Sequence, residues 1–322
     1  MIMKKWAFFI FSFIQVIWLA GCTEKSFEPL DRNQSFIASL NIQEPSLDFI
    51  DELGNVIATW SFDKAYTGAL LLDNDRILLY GHQLDEIVVY TLSTGKKLYS
   101  KKVELGTTNV YYDPNVKQFF MTNSKMNTVT SFDVEGNKLA SQQLGNYPMS
   151  MATYKDKLYV VNYKDTKLSV LSIKDLTIEQ EWPIGKSSHG IVIVEETNEL
   201  WVGGHGEGSK PNSSVKRFDL GTGTVRGNIE MPLMPVGLTK TKDKVLVVSH
   251  GHNELYVVDF KGNVLWEKEV GANPFVVNQF KDYIVVAGYD DHTLYFIKDG
   301  QVQKTVDVGK GAFQLLVREE EK

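Results

Sequence analysis

The chain has 322 residues, 43% of them hydrophobic and 23% charged, with a formal net charge of −6. This is the composition of a soluble globular protein, with enough chain for one large all-β domain or two ordinary ones. The acidic balance, with Lys and Arg scattered, argues against a nucleic-acid surface, which needs a basic stripe, so no nucleic-acid partner is expected.

The first element is a leader. Lys4 and Lys5 precede an apolar stretch from Trp6 to Ala20 that only Ser12 and Gln15 interrupt. A charged start, an apolar stretch of this length and small residues at its end describe a secretory signal over residues 1–21. The stretch falls short of the roughly 20 apolar residues of a membrane span. Leu19-Ala20-Gly21-Cys22 resembles the lipobox of bacterial lipoproteins. That resemblance implies that Cys22 is lipidated and becomes the mature first residue, because no other thiol exists to pair with it. Two or more acyl chains hold a protein stably at a membrane. The expected location is therefore the outer face of the bacterial cell membrane, or an outer membrane in a Gram-negative cell. Thr23 differs from the Asp that favours inner-membrane retention in Gram-negative lipoproteins. Residues 22–34, polar and carrying Pro29, read as a short tether to a domain over residues 35–322.

Beyond the tether, short runs rich in Val, Leu, Ile and Tyr alternate with Gly, Asn and Asp turns, the signature of strands and hairpins. A phrase recurs between one strand and the next: "VELGTTNV", "QLGNYPMSM", "PIGKSSHGIV", "VGANPFVV" and "VGKGAFQLL". Its glycines, Gly106, Gly145, Gly185, Gly271 and Gly309, are 39, 40, 86 and 38 residues apart, and 86 is two repeats of 43. The missing copy falls in "IEMPLMPVGL", and a worn one lies near Asp63. Each unit holds four strand candidates, such as "PMSMAT", "KLYVVN", "KLSVLSI" and "TIEQEWPI". Four short antiparallel strands per repeat describe a β-propeller blade.

"KLYVVNYKDTKLSVLSI", Lys157–Ile173, resembles the YVTN-type repeat, a bacterial relative of WD-repeat blades, and Gly262–Lys268, "GNVLWEK", resembles blades of the quinoprotein type. After Gly309 one strand remains, "AFQLLV", and before Asp63 there are three, "FIASL", "SLDFID" and "NVIATW". The one and the three together make a blade, a closure that removes a free sheet edge. The expectation is an all-β, seven-bladed propeller of four-stranded antiparallel blades. Six or eight blades is the alternative, since the unit around Met231 is irregular.

The chemistry-bearing residues are the histidines. His189 falls in a loop between the fourth strand of one blade and the first of the next. His82, His205, His250, His252 and His292 fall at the end of a second strand or in the loop after it. In a propeller both kinds of loop lie on one face, so all six are assigned there as a candidate ligand or metal face. Imidazole suits Zn, Cu, Fe and Ni, while Gly-His pairs also make ordinary polar turn corners. No cofactor is required by the sequence, and a transition metal is the one that this face would suit.

Other motifs weigh less. "GGHGEGSKPNSS", Gly203–Ser214, is the longest insertion; it is glycine-rich but followed by a strand-like run rather than the helix of a phosphate loop. "LLDNDR", Leu71–Arg76, has calcium-like spacing without the downstream Glu and reads as a hairpin. Asp290–Asp291 has no placed partner for hydrolysis. No nucleophile elbow or zinc-protease motif occurs, so no catalytic residue is assigned. YVTN-like propellers include sugar-lactone hydrolases, which leaves catalysis open. The sequence points first to a lipid-anchored binding or scaffold module that takes a protein or small molecule at the channel mouth. The alternative is a metal-binding protein or metal-dependent enzyme using the histidine face.

Overall fold

A computed structural model of the chain describes residues 26–319. The leader and Cys22 lie outside the described residues. Thirty strands and one three-residue 3-10 turn, Glu195–Thr197, make up the secondary structure. The strands form seven four-stranded antiparallel sheets plus one small hairpin, Gly206–Glu207 with Lys210–Pro211. The seven sheets are the blades of a propeller ring.

Blades 1 to 6 follow the chain, at residues 68–102, 107–143, 148–183, 188–230, 235–269 and 274–307. Blade 7 is composite. The strand Ala312–Arg318 pairs with Phe36–Asn41, which pairs with Ser46–Ile50 and then Val56–Ser61. The irregular unit is an ordinary blade behind an unusual entry. Leu233 and Met234 both take left-handed backbone conformations (φ 38° and 66°) before Pro235, in place of the glycine phrase used elsewhere.

Strand composition follows position in the blade. The second strands are buried on both faces and read as continuous apolar runs, as in Val245–Ser249, every residue of which is buried. The outermost strands alternate toward solvent and carry charge, as in Lys96–Lys102 ("KKLYSKK") and Val264–Glu269 ("VLWEKE"). Lys and Glu on a free edge oppose pairing with another chain. The apolar cores lie between blades, not within them. Tyr159, Val161, Leu168, Val170 and Trp182 of blade 3 pack on Leu200, Val202 and Phe218 of blade 4. Seven such clusters exist, one at each blade–blade interface, and two of them flank blade 7.

Arg318 sits where the ring meets its own beginning. It is only 4% exposed. Its guanidinium donates to the carbonyls of Gln34, Asp31 and Asn74, and lies over the Phe36 ring at 4.4 Å. The residues before Phe36 are also docked. Phe27 stacks on Trp60 at 4.8 Å, its N–H donates to the Gly95 carbonyl, and the Leu30 N–H donates to Leu92. The chain thus reaches the rim between blades 7 and 1 well before its first strand.

Candidate functional site

The repeat places one side chain per blade at two positions on the same end of the channel. The first is the residue just after the second strand. In blades 2 to 5 its N–H donates to the residue just before the inner strand: Ser124 to Gly106, Tyr163 to Tyr147, His205 to Ser187 and His250 to Met234. In blade 6 this position is Tyr289, directly after Gly288. The second position is the second residue of the inner strand: Thr108, Met149, His189, Val236, Phe275 and Phe313. Antiparallel register joins the two, since Ser188 pairs with Gly204 and Pro235 with Ser249.

Rings occupy these positions from blade 3 to blade 7 and touch in sequence. Tyr163 stands 6.4 Å from His189 and 6.1 Å from His205, centroid to centroid. His205 stands 5.7 Å from both His189 and His250, edge to face in each case. His250 lies 4.2 Å from Phe275, which is 5.4 Å from Tyr289 and 5.6 Å from Phe313. The blades close up here because Gly190 and Gly237 on neighbouring inner strands lack a Cβ. A methyl group on Gly190 would collide with the Val236 carbonyl, and one on Gly237 with the Phe275 carbonyl. A cavity of about 320 Å³ runs among the inner strands, lined by three of these rings, His189, Phe275 and Phe313, together with Thr67, Thr108 and Gln314. Sites of this size commonly hold small ligands.

Burial sets the charge of the three central histidines. His189 is pushed below the ordinary imidazole range by burial, against the pull of its bond to Val236 and with help from His250. His205 is pushed down to about 4 by burial, then by His189 and His250. His250 is lowered by burial, which outweighs the Asn273 side chain and the Asp290 charge. All three are therefore neutral at pH 7. The Nδ1 atom of His189 approaches the Val236 carbonyl at 3.3 Å. A carbonyl only accepts, so the proton sits on Nδ1 and the lone pair on Nε2. The Nδ1 atoms of His205 and His250 are both buried without a hydrogen-bond partner.

The other three histidines stand apart from this row. The Nε2 atom of His82 lies 3.0 Å from the Ser124 hydroxyl, and burial, with Lys125 and Lys164, lowers its pKa. His252 is about half exposed, with Nδ1 3.3 Å from Glu254. The Nδ1 atom of His292 lies 3.0 Å from the Tyr289 carbonyl and 3.2 Å from the Gly311 nitrogen, and bonds one or the other according to its tautomer. Residues His250–Asn253 form a turn, which separates His250 from His252. Among the described residues no group of three His, Cys, Asp or Glu side chains is placed to hold a metal.

The remaining motifs are accounted for locally. The long insertion folds into the small hairpin, with Asn212 bonded to His205, Gly204 and Ser214. Leu71–Arg76 spans a hairpin turn in which Asp73 accepts from the N–H groups of Asp75 and Arg76. Asp291 accepts from the Tyr295 hydroxyl at 2.6 Å. Sequence reasoning did not single out Tyr163, Phe275, Tyr289 and Phe313. Their signal was present: "NPF" and "GAF" follow repeat glycines, and Tyr163 and Tyr289 hold the position that His205 and His250 hold in their blades.

No family model and no curated protein matches the chain. Solved structures do resemble it. A functionally unknown protein from Desulfotomaculum acetoxidans DSM 771 superposes with a TM-score of 0.74 at 10% identity, covering 89% of this chain and 99% of that one. Kuenenia stuttgartiensis hydrazine synthase gives 0.73 at 12% identity, covering 90% and 100%. Virginiamycin B lyase from Staphylococcus aureus gives 0.62 at 14% identity, covering 76% and 84%. At such identities the likeness is one of fold. The propeller is common ground among a protein of unknown role and enzymes, so fold alone does not choose between binding and catalysis.

Proposed function

We propose that this chain is an exported, lipid-anchored propeller of the YVTN type that holds a small ligand or partner protein at the ring-lined mouth of its channel. The observation that carries the reading is the unbroken row of aromatic and imidazole rings over blades 3 to 7, set at the ends of second strands and on inner strands, with His189, Phe275 and Phe313 also lining the cavity. Neutral imidazoles with unmet nitrogens and apolar ring faces together offer the mixed surface on which ligand sites are built. The anchor rests on Leu19-Ala20-Gly21-Cys22 and the absence of a second cysteine. The docked Phe27 lies five residue steps after Cys22, a reach of at most about 18 Å when extended. A lipid on Cys22 would therefore hold the disc by its rim, leaving the channel mouth open to the side.

Two experiments test this. Cys22→Ser should abolish lipidation and move the protein out of the membrane fraction; unchanged attachment and processing would refute the anchor. Native mass spectrometry of the full chain, purified in mild detergent from the cells that make it, tests the mouth. A retained ligand or partner mass is expected in wild type and its loss in a Tyr163→Ala/His205→Ala/Phe275→Ala variant. Identical spectra without any bound mass would refute the reading.

A metal-binding reading is kept alongside because one observation favours it: two adjacent imidazoles bury unpartnered nitrogens.

A further inference from the structure

Leaving a polar atom buried without a partner costs about 1–3 kcal/mol, and native proteins carry few such atoms. Here two of them belong to the same kind of side chain on neighbouring blades, and the rings that carry them touch. Two adjacent Nδ1 atoms that find no partner in the protein mark a place for an occupant.

The spacing of the rings says what kind. A metal–imidazole bond is roughly 2.0 Å long, and a ring nitrogen lies roughly 1.2 Å from its ring centre, so a bound ion sits about 3.2 Å from each centroid. Two centroids 5.7 Å apart, as for His205 and His250, then subtend about 125° at one ion. That angle lies between trigonal and linear. A structural zinc ion wants four ligands in a tetrahedron, and no third His, Cys, Asp or Glu is grouped with these two among the described residues. A d10 monovalent ion accepts two or three nitrogen ligands.

We propose that the channel mouth holds one copper(I) ion, bound through the Nδ1 atoms of His205 and His250, with His189 packed against His205 as a positioning residue. The ring of His189 is 5.7 Å from that of His205, and its Nδ1–H donates to the Val236 carbonyl. That bond fixes the tautomer and orientation of His189, and so the side of the His205 ring that it packs against. Phe275 against His250 and Tyr163 against His205 close the sides of the site with ring surface, which limits the access of water and oxidant. His82, His252 and His292 take no part, each having other contacts for its ring. The inference rests on the mouth being the binding site proposed above and names its occupant.

The test is an anaerobic titration of the full chain, stripped of metal, with copper(I) buffered by bathocuproine disulfonate. X-ray absorption on the loaded protein reads the ligands. One equivalent is expected, with two imidazole nitrogens and no sulfur. His205→Gln and His250→Gln should each weaken binding by more than about 100-fold and His189→Gln by about 10-fold, the range seen when a ligand or its support is lost. His82→Gln should leave affinity unchanged, and thermal melts of every variant check that the ring is intact. Failure to retain copper(I) against the competitor, binding that survives His205→Gln and His250→Gln, or stoichiometric zinc(II) at these residues instead would overturn the proposal. Should copper fail while a mass that depends on Tyr163, His205 and Phe275 persists in the native spectra, the ligand-binding reading stands alone. Should both fail, the mouth is not a binding site.

Discussion

The ring of His250 lies against that of Phe275, with centroids 4.2 Å apart and planes inclined by 36°. An aromatic face attracts a protonated imidazole, yet burial by the same neighbour penalises the charge. Here burial wins, and His250 titrates below the ordinary range. The contact also ties blade 5 to blade 6 at the mouth, next to the row formed with His205 and His189. The balance can be reversed by mutation.

Phe275→Ala should admit water beside His250 and raise its pKa toward the ordinary value near 6.5, read from the imidazole C–H resonances in an NMR titration. Loss of a half-buried ring should cost about 1–2 kcal/mol of stability. A pKa that stays low in the variant would show that the ring is not what desolvates His250.

Stability should fall as the pH is lowered from about 6.5 toward 4. His205 is depressed to about 4 when folded, while the unfolded chain protonates its histidines near 6.5. Between these values the unfolded state binds more protons, so stability rises with pH there and is complete above the unfolded pKa. His189 and His250, also depressed, add to the same slope. Urea unfolding at pH 7, 6, 5 and 4 measures it, and His205→Gln should flatten the curve in this window. An unchanged slope in that variant would place its origin elsewhere.

Arg318→Ala should destabilise the ring by about 3 kcal/mol or more, because carbonyls of Asp31, Gln34 and Asn74 lose a charged donor in a buried place. Deleting residues 312–322 goes further and strips blade 7 of its inner strand. A broad, uncooperative melt with aggregation is expected from the exposed edge. A sharp melt within a few degrees of the full chain would mean that this strand is dispensable to the ring.

Gly190→Ala should force blade 4 away from blade 5, since its new methyl meets the Val236 carbonyl. Overpacking of this kind costs about 1–3 kcal/mol. The histidine row should loosen with it, so the pKa of His205 should rise. Gly300→Ala, with open space around the new carbon but a positive φ of 71°, reports the backbone cost alone. Equal effects of both substitutions on His205 would show that blade spacing does not set the row.

The architecture was legible because it is written in local pattern. Repeats near 40 residues, four apolar runs per repeat and a lone strand after Gly309 are properties of the chain in one dimension, and a propeller is the packing that buries them. The same registry assigned His189 to a loop between blades and the other five histidines to loops after second strands. The coordinates put His189 one residue inside its strand, at the same end. Which histidines meet was decided in three dimensions. His205 and His250 are 45 residues apart in the chain and touch because Gly190 and Gly237 let neighbouring inner strands approach. His250 and His252, nearly adjacent in sequence, are parted by a turn. Sequence spacing reports which face of a blade a residue joins. The distance between blades depends on side-chain volume at the inner strands, and only tertiary packing reveals it.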